Sequence, residues 1–266
     1  MRRLWIAILL VGLCANAFAD DHPTARHLLA GVRLFKDARY EEALVELRIV
    51  AHAADAPTDL AFYLGPTLYK LGRHREALAV FVASRAAPDA LTDFYVGETY
   101  YALKLFRKAR AVFAGLRTRG LGPALDEAAR SYVETIDLAY KTAPKDDATL
   151  SYYIAVGVEL APTDPSVAGE FLDEARLVEA LGTDRKRHGD ILDALGAAWN
   201  RAGRPSGVVE VLGAEPGRSE EATWQLARAY LALDDSPHAR AFLAPIANAG
   251  GPHASDAAAI LAKTPP

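Results

Sequence analysis

Cysteine is almost missing from this chain: Cys14 is the only one, and it sits within the first nineteen residues. If those residues are removed, as argued below, no disulfide, thiolate nucleophile or cysteine metal site remains, and stability has to come from packing. An excess of one charge is missing too. Thirty Lys and Arg stand against 34 Asp and Glu, for a net charge of −4, so a phosphate backbone would repel the chain, and nucleic acid is not an expected partner. Motifs of chemistry are absent: there is no glycine-rich loop ending in Lys-Ser or Lys-Thr, no His-Glu-x-x-His, no Gly-x-Ser-x-Gly and no calcium-loop pattern. The seven histidines are scattered. His22 and His27, the closest pair, would point about 140° apart on a helix. The expectation is therefore no catalytic residue, no metal and no cofactor. The adjacent carboxylates Glu41-Glu42, Asp146-Asp147, Glu220-Glu221 and Asp234-Asp235 fall at helix starts or in turns, where the macrodipole favours negative charge. Arg185-Lys186-Arg187-His188 is a dense basic run that reads as a solvated helix start.

Long hydrophobic runs are lacking as well. Leu4–Leu13 is apolar but too short to span a bilayer, which takes about 20 residues. Arg2 and Arg3 before it and Ala17-Phe18-Ala19 after it give the segment the form of a secretory signal cut after Ala19. The expectation is an exported chain, periplasmic or secreted, with no transmembrane segment once mature.

What is present is a repeat. Gly31, Gly65 and Gly97 are each followed twelve residues on by Ala43, Ala77 and Ala109, and four further by Leu47, Phe81 and Phe113. Leu34, Leu68 and Tyr100 keep the same phase. Small residues let two antiparallel helices approach closely while the large ones fill the space between pairs. Turn chemistry falls between the halves, at Lys36–Tyr40 and Leu71–His74, and Pro57 and Pro88 suit helix starts. Segment Tyr63–Phe81, YLGPTLYKLGRHREALAVF, and the copy from Tyr95 onward resemble the tetratricopeptide repeat, a helix-turn-helix unit of about 34 residues.

The second half repeats more loosely: Leu195-Gly196 with Trp199, Val208 and Leu212, then Leu226-Ala227 with Tyr230, Ala239 and Leu243, and a weaker earlier pair phased on Ala155, Val158 and Phe171. Asp164 and Ser236 are placed to cap helices. Between the halves, residues 123–141 form one amphipathic helix with Leu125, Ala129, Tyr132, Ile136 and Tyr140 along a side. No alternating strand pattern of useful length appears. The reading is an all-α solenoid of tetratricopeptide-like repeats in two lobes, about fourteen helices: residues 1–19 a signal peptide, 20–143 a lobe of three repeats with a capping helix, and 144–266 a degenerate helical lobe.

Aromatic residues crowd the first helices of the second and third repeats. Leu64, Leu68 and Leu71 suffice to pack such a helix, yet Phe62, Pro66 and Tyr69 make a second stripe, which Phe94, Glu98 and Tyr101 repeat. A helix apolar on two sides buries both or binds with one. The resemblance implies that the side facing away from the second helix lines a groove. By phase that groove holds Leu28, Val32, Phe35 and Lys36, then Phe62, Tyr63, Tyr69 and Lys70, then Phe94, Tyr95, Glu98 and Tyr101. The family's clamp for terminal carboxylates is not matched, since Val32, Pro66 and Glu98 stand at its positions. The implied function is a protein-interaction scaffold of the cell envelope, holding an apolar or aromatic protein or peptide segment. One alternative is that another part of the chain, such as the 123–141 helix, covers the rings. Others are a subunit that binds peptidoglycan or another glycan, and an enzyme with a site at Trp199, Asn200, Trp224 and Arg228. Pro66, in mid-helix, also predicts a bend there.

Overall fold

A computed structural model of the chain describes residues 23–84, 89–117, 119, 122–142, 147–179 and 185–264. The signal segment with Cys14, together with His22, Pro88 and Asp146, lies outside the described residues, as do the side chains of Tyr140 and Arg185. Fourteen α-helices and no strand occur among the described residues: α1 (Pro23–Lys36), α2 (Tyr40–Ala51), α3 (Ala61–Lys70), α4 (His74–Ala83), α5 (Ala90–Ala102), α6 (Phe106–Arg117), α7 (Pro123–Thr142), α8 (Asp147–Leu160), α9 (Pro165–Glu179), α10 (Arg185–Arg201), α11 (Pro205–Ala214), α12 (Glu220–Ala232), α13 (Ser236–Ala249) and α14 (Ala254–Leu261). The described residues are all-α and arranged as successive helix pairs. The chain divides into two compact units: the described residues up to Lys104 with Val112–Ser131, and Leu105–Ala111 with Tyr132 onward. No helix among the described residues is long and apolar enough to cross a membrane.

The glycines explain the pairing. A Cβ on Gly31 would stand 2.7 Å from Leu47, one on Gly97 would stand 2.7 Å from Phe113, and one on Gly65 would overlap the Phe81 ring. In the second unit a Cβ on Gly157 would come within 2.6 Å of Leu172, and one on Gly196 within 2.9 Å of Leu212. In each pair the second helix drives a large side chain into the space a side chain of the first would have filled. Ala43, Ala77, Ala109, Ala168 and Ala239, the small residues of the partner helices, are fully buried. The first unit's core runs through Leu44, Leu47, Val50, Leu60, Leu64, Leu68 and Phe81; the second unit's runs through Leu172, Leu192, Leu195, Trp199, Leu212 and Leu226. In α7, Ala129, Val133 and Ile136 are buried.

A turn of one design joins the two helices in five of the pairs. Seven residues after the reference small residue the chain takes positive φ: Ala38 (58°), Gly72 (72°), Lys104 (64°), Gly203 (68°) and Asp234 (58°). The next residue then donates its N–H back five places, as Arg39 does to Leu34, Arg73 to Leu68, Arg204 to Trp199 and Asp235 to Tyr230, each at 2.9 Å. This closes the helix by satisfying a carbonyl of its last turn. A left-handed residue with a Cβ costs roughly 1–2 kcal/mol. Ala38→Gly is therefore expected to stabilise the first unit by up to about 1 kcal/mol, and Gly72→Ala to lose about the same. Chemical denaturation of the two variants checks this, and equal midpoints would contradict it.

Three expectations need correction. The weak pair is not phased on Ala155 and Val158, which are exposed, Val158 by 54%; it is phased on Gly157 and Leu172. The spacing there is fifteen residues instead of sixteen, because the α8–α9 turn lacks the positive-φ residue of the others. The stripe that holds Pro66 is not open along its length: Pro66 is buried, and α3 is helical from Ala61 to Lys70. The Thr67 hydroxyl donates to the Tyr63 carbonyl at 2.7 Å, one step along from the bond that Pro66 cannot make. The cap before α13 is Asp235, which accepts from the His238 N–H, and not Ser236. Asp164 does cap α9, accepting from Val167 N–H at 3.2 Å.

Candidate functional site

The first unit places its first helices side by side, α1 against α3 and α3 against α5, so residues at one phase of successive repeats become neighbours. Tyr69, near the end of α3, meets Tyr95 of α5 edge to face with ring centres 5.7 Å apart. The Lys70 ammonium lies over both rings, 5.7 Å from Tyr69 and 5.4 Å from Tyr95, within cation–π range. His74, opening α4, is tilted against the Tyr69 ring with centres 5.2 Å apart. In the first repeat, Phe35 and Tyr40 form the corresponding pair at 5.5 Å.

Half-burial governs the electrostatics here. Burial pushes the Tyr95 phenol up to about 12, with the nearby Glu98 carboxylate adding to the rise. Tyr69 is raised for the same two reasons. Tyr63 is raised by burial and then by Asp59 and Asp89. All three phenols thus keep their protons at physiological pH and act as hydrogen-bond donors. Burial lowers His74, which favours the neutral imidazole.

Of the residues expected to line the groove, Tyr69, Lys70 and Tyr95 come together. Phe35, Lys36, Phe62, Tyr63, Glu98 and Tyr101 are half-buried, and Tyr63, Tyr69 and Tyr95 also rest on the core with Leu28. Phe94 turns inward, edge to face with the fully buried Phe113 at 5.5 Å. Tyr40 and His74 were missed by sequence reasoning. Their signal is a shared phase, nine residues after Gly31 and Gly65, where the second helix begins and a ring can shelve the tyrosine layer. A shallow depression lined by Gly72, Arg73, His74, Arg75, Glu76 and Leu103 opens beside this cluster, and the Arg73–Glu76 ion pair at 2.6 Å runs along it.

The second unit's conspicuous groups serve packing. Trp199 is buried beneath the Arg204 guanidinium at 5.2 Å, filling the space left by Gly169 and Gly207. Asn200 donates to the Gln225 carbonyl at 2.7 Å and to its side chain at 2.8 Å. Trp224 stacks on His253 at 4.8 Å, and Arg228 is exposed. Three acids of α9, Glu170, Asp173 and Glu174, are buried. Lys108 pairs with Glu170 at 2.8 Å and Asp173 at 2.7 Å, Arg204 pairs with Glu170, and Glu174 accepts from the backbone N–H groups of Arg107 (2.7 Å) and Lys108 (3.0 Å) at the start of α6. No group of three His, Cys, Asp or Glu side chains suited to a metal occurs among the described residues.

No family model matches the chain, and no curated protein does. Solved structures that match include the TPR2AB domain–pHSP90 complex of yeast Sti1, 14% identical, covering 91% of this chain and 98% of that one with a TM-score of 0.39. The P58(IPK) TPR domain, also 14% identical, covers 90% of this chain and 66% of that one with a TM-score of 0.36. The assignment to helix-turn-helix repeats rests on the chain's own helix pairs and glycine contacts.

Proposed function

We propose that this chain is a non-catalytic protein-interaction scaffold, exported to the cell envelope, whose first unit holds a partner segment against the rings of α3 and α5. The observation that carries the proposal is the convergence of Tyr69, Lys70 and Tyr95 from two consecutive repeats. Rings have few rotatable bonds, so fixing them on binding loses little entropy, while each offers a wide apolar face. The cation beside them sets register. Beside this cluster, Glu76 is already held by Arg73 and Arg48.

The test compares Tyr69→Ala and Tyr101→Ala with Glu76→Ala in capture of crosslinked partners from envelope extracts. Helix content serves as the folding control. Central aromatic anchors commonly cost about 2 kcal/mol, roughly 30-fold in affinity, when cut to alanine, whereas Glu76→Ala should leave capture unchanged. Tyrosine variants that fold and retain every partner at full strength would place these rings in the core and nowhere else. A mature N-terminus reading Asp20-Asp21 checks the export half of the proposal.

A further inference from the structure

Three successive repeats open their second helix with a ring. Tyr40 begins α2, His74 begins α4 and Phe106 begins α6, nine residues after Gly31, Gly65 and Gly97 respectively. Tyr40 rests against Phe35, and His74 against Tyr69, so the position supplies an aromatic shelf for a ring of the first helix. Of the three, only histidine changes its charge near neutral pH. The His74 seat suits the neutral ring. Its Nδ1 is buried, and neither ring nitrogen makes a hydrogen bond or ion pair among the described residues. An imidazolium carries a proton on both nitrogens, so its Nδ1–H would be a buried donor with nothing to accept it. The start of α4 also presents the positive end of a helix dipole, which opposes a cation there.

The surrounding charges do not favour the protonated ring. At its own helix start, Arg73, Arg75 and Glu76 line the depression beside it, and the turn after α5 adds Leu103. Glu76 is taken by Arg73 and by Arg48 of α2, and Glu41 of α2 acts on Arg73. From α5, Glu98 acts on the Tyr69 phenol. An imidazolium against Tyr69 would gain cation–π attraction, but Lys70 of α3 already lies over that ring and would repel it. Resting on the groove reading above, we propose that His74 is a proton-operated positioning residue: neutral, it holds Tyr69 in the aromatic cluster; protonated, it leaves its seat and frees Tyr69, so the first unit keeps its partner near neutral pH and releases it in acid. The direction follows from burial, which lowers the His74 pKa. The seated form is complete above the ordinary histidine value of about 6.5 and is lost as pH falls through the lower value in the fold.

The experiment titrates the full chain with acid while nuclear magnetic resonance follows isotope-labelled tyrosine and histidine rings. Tyr69→Phe and His74→Phe assign the two signals. The Tyr69 signal should move with the His74 midpoint, and that midpoint should lie below the usual histidine value. In His74→Phe, which copies the shelf that Tyr40 and Phe106 provide without its proton, the Tyr69 signal should stay in place. Capture of crosslinked partners from envelope extracts is then compared at pH 7.5 and at one pH unit below the midpoint, with helix content as the folding control. Wild type should lose about tenfold, since only about a tenth of its chains keep the neutral ring there. The ratio between the two conditions should stay near one for His74→Phe. A Tyr69 signal that ignores His74, undiminished capture in acid, or an equal loss in both chains would overturn the proposal and leave the groove reading standing. Capture at pH 7.5 that survives Tyr69→Ala would overturn the groove reading, and the release with it.

Discussion

Glu170→Gln is expected to cost the second unit about 3 kcal/mol, because it leaves a buried neutral amide opposite Arg204, which is partly exposed, and Lys108, which keeps Asp173. The carboxyl is 1% exposed. Burial by itself would raise its pKa, but Lys108 and Arg204 outweigh burial and bring it down from 4.5 to about 2. The folded chain thus releases this proton more readily than the unfolded one. The contribution, on the order of 3 kcal/mol, is complete above pH 4.5 and fades as pH falls toward 2. Urea titrations of the wild type and the variant at pH 7 and pH 3 provide the measurement. The gap between the two should be widest at pH 7 and narrow at pH 3. A loss under 1 kcal/mol at neutral pH, or a gap that grows on acidification, would mean that the three charges do not hold one another.

Gly65→Ala is expected to destabilise the first unit by about 3 kcal/mol, the upper end of what one extra methyl does in a packed interior. The added Cβ would overlap the Phe81 ring, and Phe81, 9% exposed, packs with Leu64 and Leu68 in the same cluster. The remedy is visible in the second unit. There Ala227 stands at the glycine's place and Leu243 at the phenylalanine's, both fully buried, so alanine is tolerated when the opposing side chain is smaller. Gly65→Ala combined with Phe81→Leu should recover at least half of the loss. Both single variants and the pair, measured in one denaturant series, give the coupling directly. Additive losses would show that the ring and the glycine do not share one space.

Much of this fold was legible because close approach of two helices leaves a mark in sequence. Gly31, Gly65 and Gly97 have to be small, and the residues that enter their space recur sixteen positions later. The α8–α9 pair escaped because its turn is one residue shorter, so Ala155 and Val158 held the expected phase while Gly157 made the contact. The groove was half legible. Phase alone placed Tyr69, Lys70 and Tyr95 together, but it left open whether Pro66 is buried and gave no sign that Phe94 would turn onto Phe113. Side-chain direction at a given phase depends on what the neighbouring helix leaves open, and a repeat pattern does not carry that. The buried acids of α9 left a trace that went unread. Glu170, Asp173 and Glu174 are flanked by Val167, Ala168, Phe171, Leu172 and Ala175, all fully buried. A helix apolar around so much of its circumference has little polar face left for solvent, so acids within it call for charged partners.

Glu174 also bears on how the chain reaches this structure. Contacts within a helix pair close loops of about sixteen residues and can form locally, which is why stacked repeats ordinarily fold quickly and from any starting point. The Glu174 carboxylate instead reaches amides 66 and 67 residues earlier, across the whole of α7 and α8. That closure waits until the intervening helices have shortened the path, since the entropy of joining distant points is lost before any contact repays it. The start of α6 is thus fastened late, by groups made a full two repeats after it. With the Lys108 pairs to Glu170 and Asp173, this carboxylate ties α6 to α9 after the local helix pairs have formed.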